Sequence, residues 1–485
     1  MGSRLKTVAE TQAEALTQSS SSQLLRRFQE TGAVDEEALG QLLAIVADDD
    51  SAVARVGLCG LFAGFAEQLA DSFDPSCALL YDLTFVRVID WCRRQPRGQR
   101  VDNVLRDLGI DGPEALLRRR DAGAADRYEP QRRETIQCCV VPSRVTLGAD
   151  VAVTSVVVFH LLQRFPRSMV VILGEPRLRE LFYEEPRVEI VACTYPAIGL
   201  FERLEAWCDA AALVERTLQS LPAHMSLILD PDSRLTQLGL LPLAPESRRA
   251  LHFDSRSYRA PGAHYLATLA GRWLLARLGG TLPRPRLTLP PASTRFARLV
   301  ARLLCRERRP IVSLTFGTGD NEAKRLGFDY EVTLVRQLLR RGVSVVLFRG
   351  VGEMERERTA RLLLALQAAT SARILELRGN DPSAIPGDDA VDLVAWEGSI
   401  GTYCALIGAS NLHVGYDSSG QHVAAALGVP TVDLFVEAGK AALEARWTPA
   451  PRETVRVVRA YRCGRCSEVV EQVLLHTNEL LALTP

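Results

Sequence analysis

From Gln23 to about Asp126 the apolar residues recur at intervals of three and four, as in Leu39, Leu42, Leu43 and Val46 and again in Val56, Leu58, Leu61, Phe62, Phe65 and Leu69. This is the spacing of helices with one buried face, and Asp50 or Ser51 stands where one of them needs a cap. Residues 1–22 are polar and end in the run Ser19–Ser22. They offer too little apolar surface to offset the entropy of ordering and are expected as a disordered tail. Residues 23–130 are expected to form an all-helical N-terminal domain, and its sequence carries no legible chemistry.

Near Arg133 the pattern changes to short β-branched runs separated by helical stretches, which predicts a parallel sheet. Ile136–Val141, Met169–Leu173, Val188–Ala192 and Leu227–Leu229 read as strands, with a helix expected over Val151–Phe165. The prolines of Leu282–Pro285 and Leu289–Pro291 cannot continue a sheet and read as a linker. Alternation then restarts, with strands expected at Ile311–Phe316, Val343–Phe348, Ile374–Leu377, Leu412–Gly415 and Thr431–Phe435. Helices are expected between them at Tyr330–Arg340, Glu353–Ala368, Ile400–Ile407 and His422–Leu427. The prediction is α/β, with two doubly wound domains in tandem at 131–285 and 292–485. Ligands of such sheets lie beyond the carboxyl ends of the strands, so the loops after strands are the places to look.

Composition narrows the function. The 485 residues are 47% hydrophobic and 24% charged, as in a soluble globular chain. Lys plus Arg is 58 and Asp plus Glu is 58, so no global charge advertises a nucleic-acid partner. The most apolar stretch, Val151–Leu162, is too short to span a bilayer and contains Thr154, Ser155 and His160, so no membrane span is expected and a buried helix is. The N-terminus has no apolar signal core, and eleven scattered cysteines do not form a disulfide framework. Both point to the cytoplasm. A structural zinc needs four ligands, and Cys463 and Cys466 are the one Cys-x-x-Cys pair, so two free thiols and no metal are expected. Cys138 and Cys139 read as small apolar packers.

Three loops after expected strands concentrate polar residues. In Pro142–Asp150, Asp150 either caps the helix expected from Val151 or acts as a general base. In Thr315–Arg325, glycines, hydroxyls and Lys324 suit a phosphate, although the loop matches neither a dinucleotide fingerprint nor a P-loop. In Tyr416–His422, Ser418 or Ser419 can cap the following helix, whose free N–H groups suit a diphosphate.

The run from Asp417 through Ser418, Ser419, Gly420 and His422 to Ala424-Ala425-Ala426-Leu427-Gly428-Val429-Pro430 resembles the signature Asp-Ser-Gly-x-x-His-x-Ala-Ala-Ala-Leu-Gly-x-Pro of the heptosyltransferase family, glycosyltransferase family 9. Leu147–Asp150 resembles that family's Gly-Asp loop, Gly317–Arg325 its Gly-Thr/Ser…Lys-Arg loop, and Arg446–Pro449 with Cys463–Cys466 its Trp-Gly-Pro and Cys-x-x-Cys endings. The resemblance runs from about Arg133 to the C-terminus. It departs at Ser419, where the family has glycine, at Ala149, inserted before Asp150, and in a longer loop before Lys324.

The resemblance implies a GT-B architecture, two Rossmann-like domains facing a cleft, with 131–285 on the acceptor side and 292–485 on the nucleotide-sugar donor side, and no catalytic metal or cofactor. It implies Asp150 as base and Lys324 on the donor diphosphate, both catalytic. Thr318, Asp417, Ser418, Ser419, Gly420 and His422 would bind substrate, with Glu355 favoured over Glu353 and Glu357 for the donor ribose. The activity implied is inverting transfer of a sugar, heptose from ADP-heptose, onto an acceptor hydroxyl of a glycolipid, protein or small natural product. Alternatives are another nucleotide-sugar enzyme, an epimerase or hydrolase, and a degenerate transferase acting as a scaffold. The helical segment is a candidate surface for acceptor docking or oligomer formation.

Overall fold

The computed structural model describes residues 7–125, 136–305, 309–319, 321–386, 390–436, 441–449, 452–461 and 466–483. The chain divides into two compact units. One comprises Met1–Val145, Val171–Gly174 and Val191–Arg259, the other Thr146–Val170, Glu175–Ile190 and Ala260–Pro485. This division does not follow the proline-rich stretch, which has no regular structure over Leu282–Leu287 and lies within the second unit.

The first unit opens with the helix Val8–Thr31, so residues 8–22, expected as a tail, are helical. The cause is local. Thr7 accepts from the Glu10 N–H at 3.1 Å while Glu10 accepts from the Thr7 N–H at 2.6 Å, a reciprocal cap, and Gly32 ends the helix at φ 70°. Ser20 and Ser21 of the serine run are buried on the same face as Leu24, where small side chains let the next helix, Glu36–Val46, approach. Further helices follow at Ser51–Cys59, Pro75–Arg93, Gln99–Asp107 and Pro113–Ala125. Asp50 caps the first of these by accepting from the Ala52 N–H at 2.8 Å.

These helices do not make a domain of their own. Leu39, Leu42, Phe65, Tyr81 and Phe85 belong to one continuous core with Val140, Ile228, Trp207 and Leu240. An amphipathic helix needs an apolar partner: the first three helices pack on one another, while Gln99–Asp107 packs on the helix Leu200–Leu218 and Pro113–Ala125 on the strand Ala250–His252. At the ends of the strands the joint is ionic. Arg256, 2% exposed, donates to Asp82 at 3.0 Å and lies 4.7 Å over the Tyr81 ring, while Arg120 reaches Asp82 at 2.9 Å and Asp254 at 2.7 Å.

The strands are β1 (Cys138–Pro142), β2 (Met169–Gly174), β3 (Val188–Ala192), β4 (Ser226–Asp230) and β5 (Ala250–His252), in the order β3-β2-β1-β4-β5. The second unit carries β6 (Ile311–Thr315), β7 (Ser344–Phe348), β8 (Ile374–Arg378), β9 (Leu393–Glu397), β10 (Leu412–Tyr416), β11 (Thr431–Val436) and β12 (Val455–Ala460). Their order is β12-β11-β10-β6-β7-β9-β8, and every pairing in this sheet is parallel. The sequence pattern had not separated β5, β9 or β12 from their surroundings. Val312, Leu314, Val345, Leu347, Val414 and Val432 face a common core, as the strands of a sheet covered on both faces must.

Register places the site. Thr315 of β6 lies opposite both Gly415 of β10 and Phe348 of β7, so the loops leaving β10, β6 and β7 emerge side by side. Among the described residues two helices, Ser51–Ala70 and Leu147–Arg164, are long and apolar enough to cross a membrane by composition, and the second is 78% buried over its most apolar window. The Cys-x-x-Cys pair falls partly outside the described residues: Cys466 opens the helix Cys466–Leu483 and is exposed. Among the described residues no group of three His, Cys, Asp or Glu is placed to hold a metal.

Candidate functional site

The loop after β6 tightens into a single 3-10 turn at Glu322–Lys324, capped by Asn321, whose side chain accepts from the Ala323 N–H at 3.0 Å. The turn aims Lys324 at the end of β10. Its Nζ donates to Asp417 Oδ2 at 2.6 Å and faces the Asp417 carbonyl oxygen at 3.4 Å. The lysine side chain is 36% exposed and the aspartate 10%, so the ammonium sits at a mouth and its partner lies inside. Asp417 is held from behind by Gln421, which donates to Oδ1 at 2.9 Å.

The helix that follows begins at Ser419, three residues before the expected start, because Ser418 is its N-cap. The expected capping bond is not made: the Ser418 side chain caps nothing, and its buried hydroxyl oxygen has no partner. No N-cap side chain therefore takes up the first N–H groups of the helix, which is the condition for an anion site. Ser419, the departure from the family signature, opens the helix, and close by the Tyr403 hydroxyl meets Thr315 Oγ1 at 3.2 Å. Gly420 is required: a Cβ there would lie 2.3 Å from His413 Nε2 and 2.9 Å from the Tyr403 hydroxyl.

His422 is 7% exposed, and burial pushes its imidazole down to about 4, with Lys324 adding to the shift and Asp417 opposing it. It is a neutral ring at pH 7, set edge-on to Trp447 with centroids 5.6 Å apart. Beneath the helix start His413 is likewise neutral, lowered to about 3 by burial, and its Nδ1 lies 3.1 Å from Ser313 Oγ. Neither His413 nor Tyr403 was singled out from the sequence. Each stands in an apolar element, and only the fold brings it under Gly420.

The loop after β1 also reaches this helix. A Cβ on Gly148 would come within 3.2 Å of His422 Cδ2 and 3.3 Å of Ser419 Cα, so the absence of a side chain permits the approach. Asp150 does not cap a helix starting at Val151. The helix starts at Leu147 with Thr146 as N-cap, and Asp150 is its fourth residue, opening a π turn over Asp150–Thr154. Its carboxylate is 2% exposed and accepts from Thr154 Oγ1 at 2.7 Å. A π turn inside an α-helix is a frequent mark of a functional site.

Two residues expected to touch substrate make bonds within the protein. The Thr318 hydroxyl donates to the Asn321 carbonyl at 3.0 Å and accepts from Arg325 Nε at 3.0 Å. Glu355 accepts from the N–H groups of Thr318, Gly319 and Val351. Both rivals of Glu355, Glu353 and Glu357, are exposed.

Behind the site Asp433 of β11 is fully buried, and burial pushes its carboxyl up to about 8, the Thr431 hydroxyl opposing and Asp417 assisting. A group whose folded value exceeds its unfolded one lends stability that is whole at low pH and lost as pH rises through the folded value. Histidines lowered by folding push the slope the other way, but an unfolded imidazole is mostly deprotonated from pH 7 upward, so their share is small there. Between pH 7 and 8 the unfolding free energy should therefore fall with rising pH, and Asp433→Asn should flatten that slope in denaturant titrations.

No protein-family model matches the sequence, and no curated protein sequence does. Solved structures do match. The glycosyl transferase family 9 structure from Veillonella parvula is 15% identical, with 71% of this chain and 97% of that one covered and a TM-score of 0.50. The E. coli ADP-heptose lps heptosyltransferase II is 18% identical, covering 72% and 99%, with a TM-score of 0.46. An E. coli heptosyltransferase with ADP is 14% identical, covering 72% and 100%, with a TM-score of 0.45. The Veillonella likeness shows the fold: two parallel-sheet α/β domains of the GT-B kind.

Proposed function

We propose that the chain is a metal-independent, inverting glycosyltransferase that moves heptose from an ADP-linked donor onto an acceptor hydroxyl. The observation that carries this reading is the Lys324 ammonium placed beside Asp417 at the start of a helix whose N-cap side chain leaves the first N–H groups alone. Such groups stabilise the negative charge that grows on a departing diphosphate. In the reaction the acceptor O–H gives its proton to Asp150, the acceptor oxygen bonds to the sugar's anomeric carbon from the face opposite the leaving group, and the bond to the diphosphate breaks with its electron pair. ADP departs against Lys324 and the helix start.

Lys324→Ala should lower turnover about 10²- to 10³-fold, the usual loss when one preorganised charge contact is removed. The check is steady-state assay with ADP-heptose and candidate acceptors, with products identified by mass. A glycosylated acceptor supports transfer. An altered donor or free sugar without acceptor would instead assign an epimerase or hydrolase, and failure of ADP, GDP, UDP and dTDP to shift the melting temperature would leave a scaffold. Ligand at a hundred times its Kd should stabilise the fold by about 2.7 kcal/mol.

A further inference from the structure

The first turn of the helix Ile400–Gly408 is held from outside. Its N-cap, Ser399, accepts from the Thr402 N–H only at 3.5 Å. The Gly401 N–H goes to a carboxylate 221 residues away: Glu180 Oε2, in the turn Pro176–Leu181 after β2, accepts from it at 2.7 Å. A charged acceptor at a helix start gains from the backbone dipoles as well as from the hydrogen bond. The neighbouring cations leave Glu180 to this task, since Arg177 pairs with Glu175 and Arg179 donates to the Val188 carbonyl. Gly401 admits the carboxylate, for a Cβ there would lie 2.6 Å from Glu180 Oε2 and 3.0 Å from Pro290 Cδ. Two residues on, the same helix carries Tyr403, whose hydroxyl meets Thr315 Oγ1 at 3.2 Å and would lie 2.9 Å from a Cβ on Gly420. The helix also packs on Ser419–Ala426, whose start is the proposed diphosphate site.

We propose that Glu180 is a positioning residue: by capping the helix Ile400–Gly408 it sets Tyr403, and through Tyr403 it sets Gly420 at the start of the helix Ser419–Ala426. The consequence for ligand binding rests on the reading of that helix start as a diphosphate site; the linkage from Glu180 to the helix does not.

The experiment uses the full chain with Glu180→Ala, Glu180→Gln and a control, Ser293→Ala. The control removes the other bond on this turn, Ser293 Oγ to Thr402 Oγ1 at 2.9 Å, and leaves Glu180 in place. Amide hydrogen exchange without ligand should show Gly401 exchanging about tenfold faster in Glu180→Ala, and Val423 and Ala424 of the helix Ser419–Ala426 about threefold faster. Glu180→Gln, which keeps an acceptor oxygen, should restore most of the protection, and Ser293→Ala should leave Val423 and Ala424 at the parent rate. Calorimetric titration with ADP and with inorganic pyrophosphate should show both weakened about tenfold by Glu180→Ala and unchanged by Ser293→Ala. Parent exchange rates at Val423 and Ala424 in Glu180→Ala would overturn the proposal. So would equal effects of Glu180→Ala and Ser293→Ala, which reduce the cap to local stability. If the parent binds neither probe, the diphosphate reading fails, and the exchange rates alone decide for or against the linkage. Should Glu180→Ala not fold, Glu180→Asp, which withdraws the carboxylate by one methylene, carries both measurements.

Discussion

Asp150→Asn is expected to reduce turnover by about 10² to 10⁴, the range over which a positioned general base contributes, while leaving the affinity for ADP unchanged. The substitution preserves shape and keeps an oxygen able to accept from Thr154 Oγ1, now at 2.7 Å from the carboxylate. It removes the charge and the capacity to take a proton. Asp150 lies in the first turn of its helix, where the backbone dipoles favour the ionised carboxylate. Parallel measurement of kcat and of ADP binding separates the two roles. Unimpaired kcat would remove Asp150 from the chemistry, and equal losses in kcat and ADP affinity would make it a structural residue.

Arg256→Ala should destabilise the first unit by about 3–5 kcal/mol, the cost of breaking a buried ion pair from one side. The guanidinium is 2% exposed and faces three carboxylates, with Asp82 at 3.0 Å and Asp232 and Asp254 both at 3.8 Å. Burial raises the Asp254 carboxyl, yet the guanidiniums of Arg256 and Arg120 outweigh it and hold it well below the usual carboxylate range. Without Arg256 these charges stay buried and repel. The test is a pair of variants under urea: Arg256→Ala, and Arg256→Met combined with Asp82→Leu. The double variant should lose less than the single one, because it removes the nearest carboxylate together with the guanidinium and so leaves fewer unpaired charges. Equal losses would mean that the joint owes its strength to packing alone.

The sequence was most legible where periodicity and chemistry coincide. Val188–Ala192 is dominated by β-branched residues and emerges as a strand with those bounds, and Ile311, Val345 and Val414 mark strands of the second sheet in the same way. The rule that sites gather at the carboxyl ends of strands was enough to place Lys324 and Asp417 among the residues to watch, and the register of β6 against β10 sets them side by side. What the sequence left out has physical causes. β5 is three residues long and β12 alternates valine with arginine at the sheet edge, so neither shows a sustained apolar run. The serines at 19–22 read as polar, and only the packing of Ser20 and Ser21 beside Leu24 shows why they are tolerated in a helix. Apart from Arg325, the bonds of Glu355 and Thr318 run to backbone N–H and C=O groups, which no spacing reveals.

The shared core of the first unit has a consequence for how the chain is made. The N-terminal helices leave the ribosome before the strands, yet their core is continuous with that of β1, β4 and the segment reaching Leu240. Until those later segments are synthesised, the early helices can close over one another but the rest of that core stays open. Contacts so far apart in sequence slow folding, and the nascent chain passes through a long interval in which chaperone binding, or adhesion to a second unfinished chain, competes with completion.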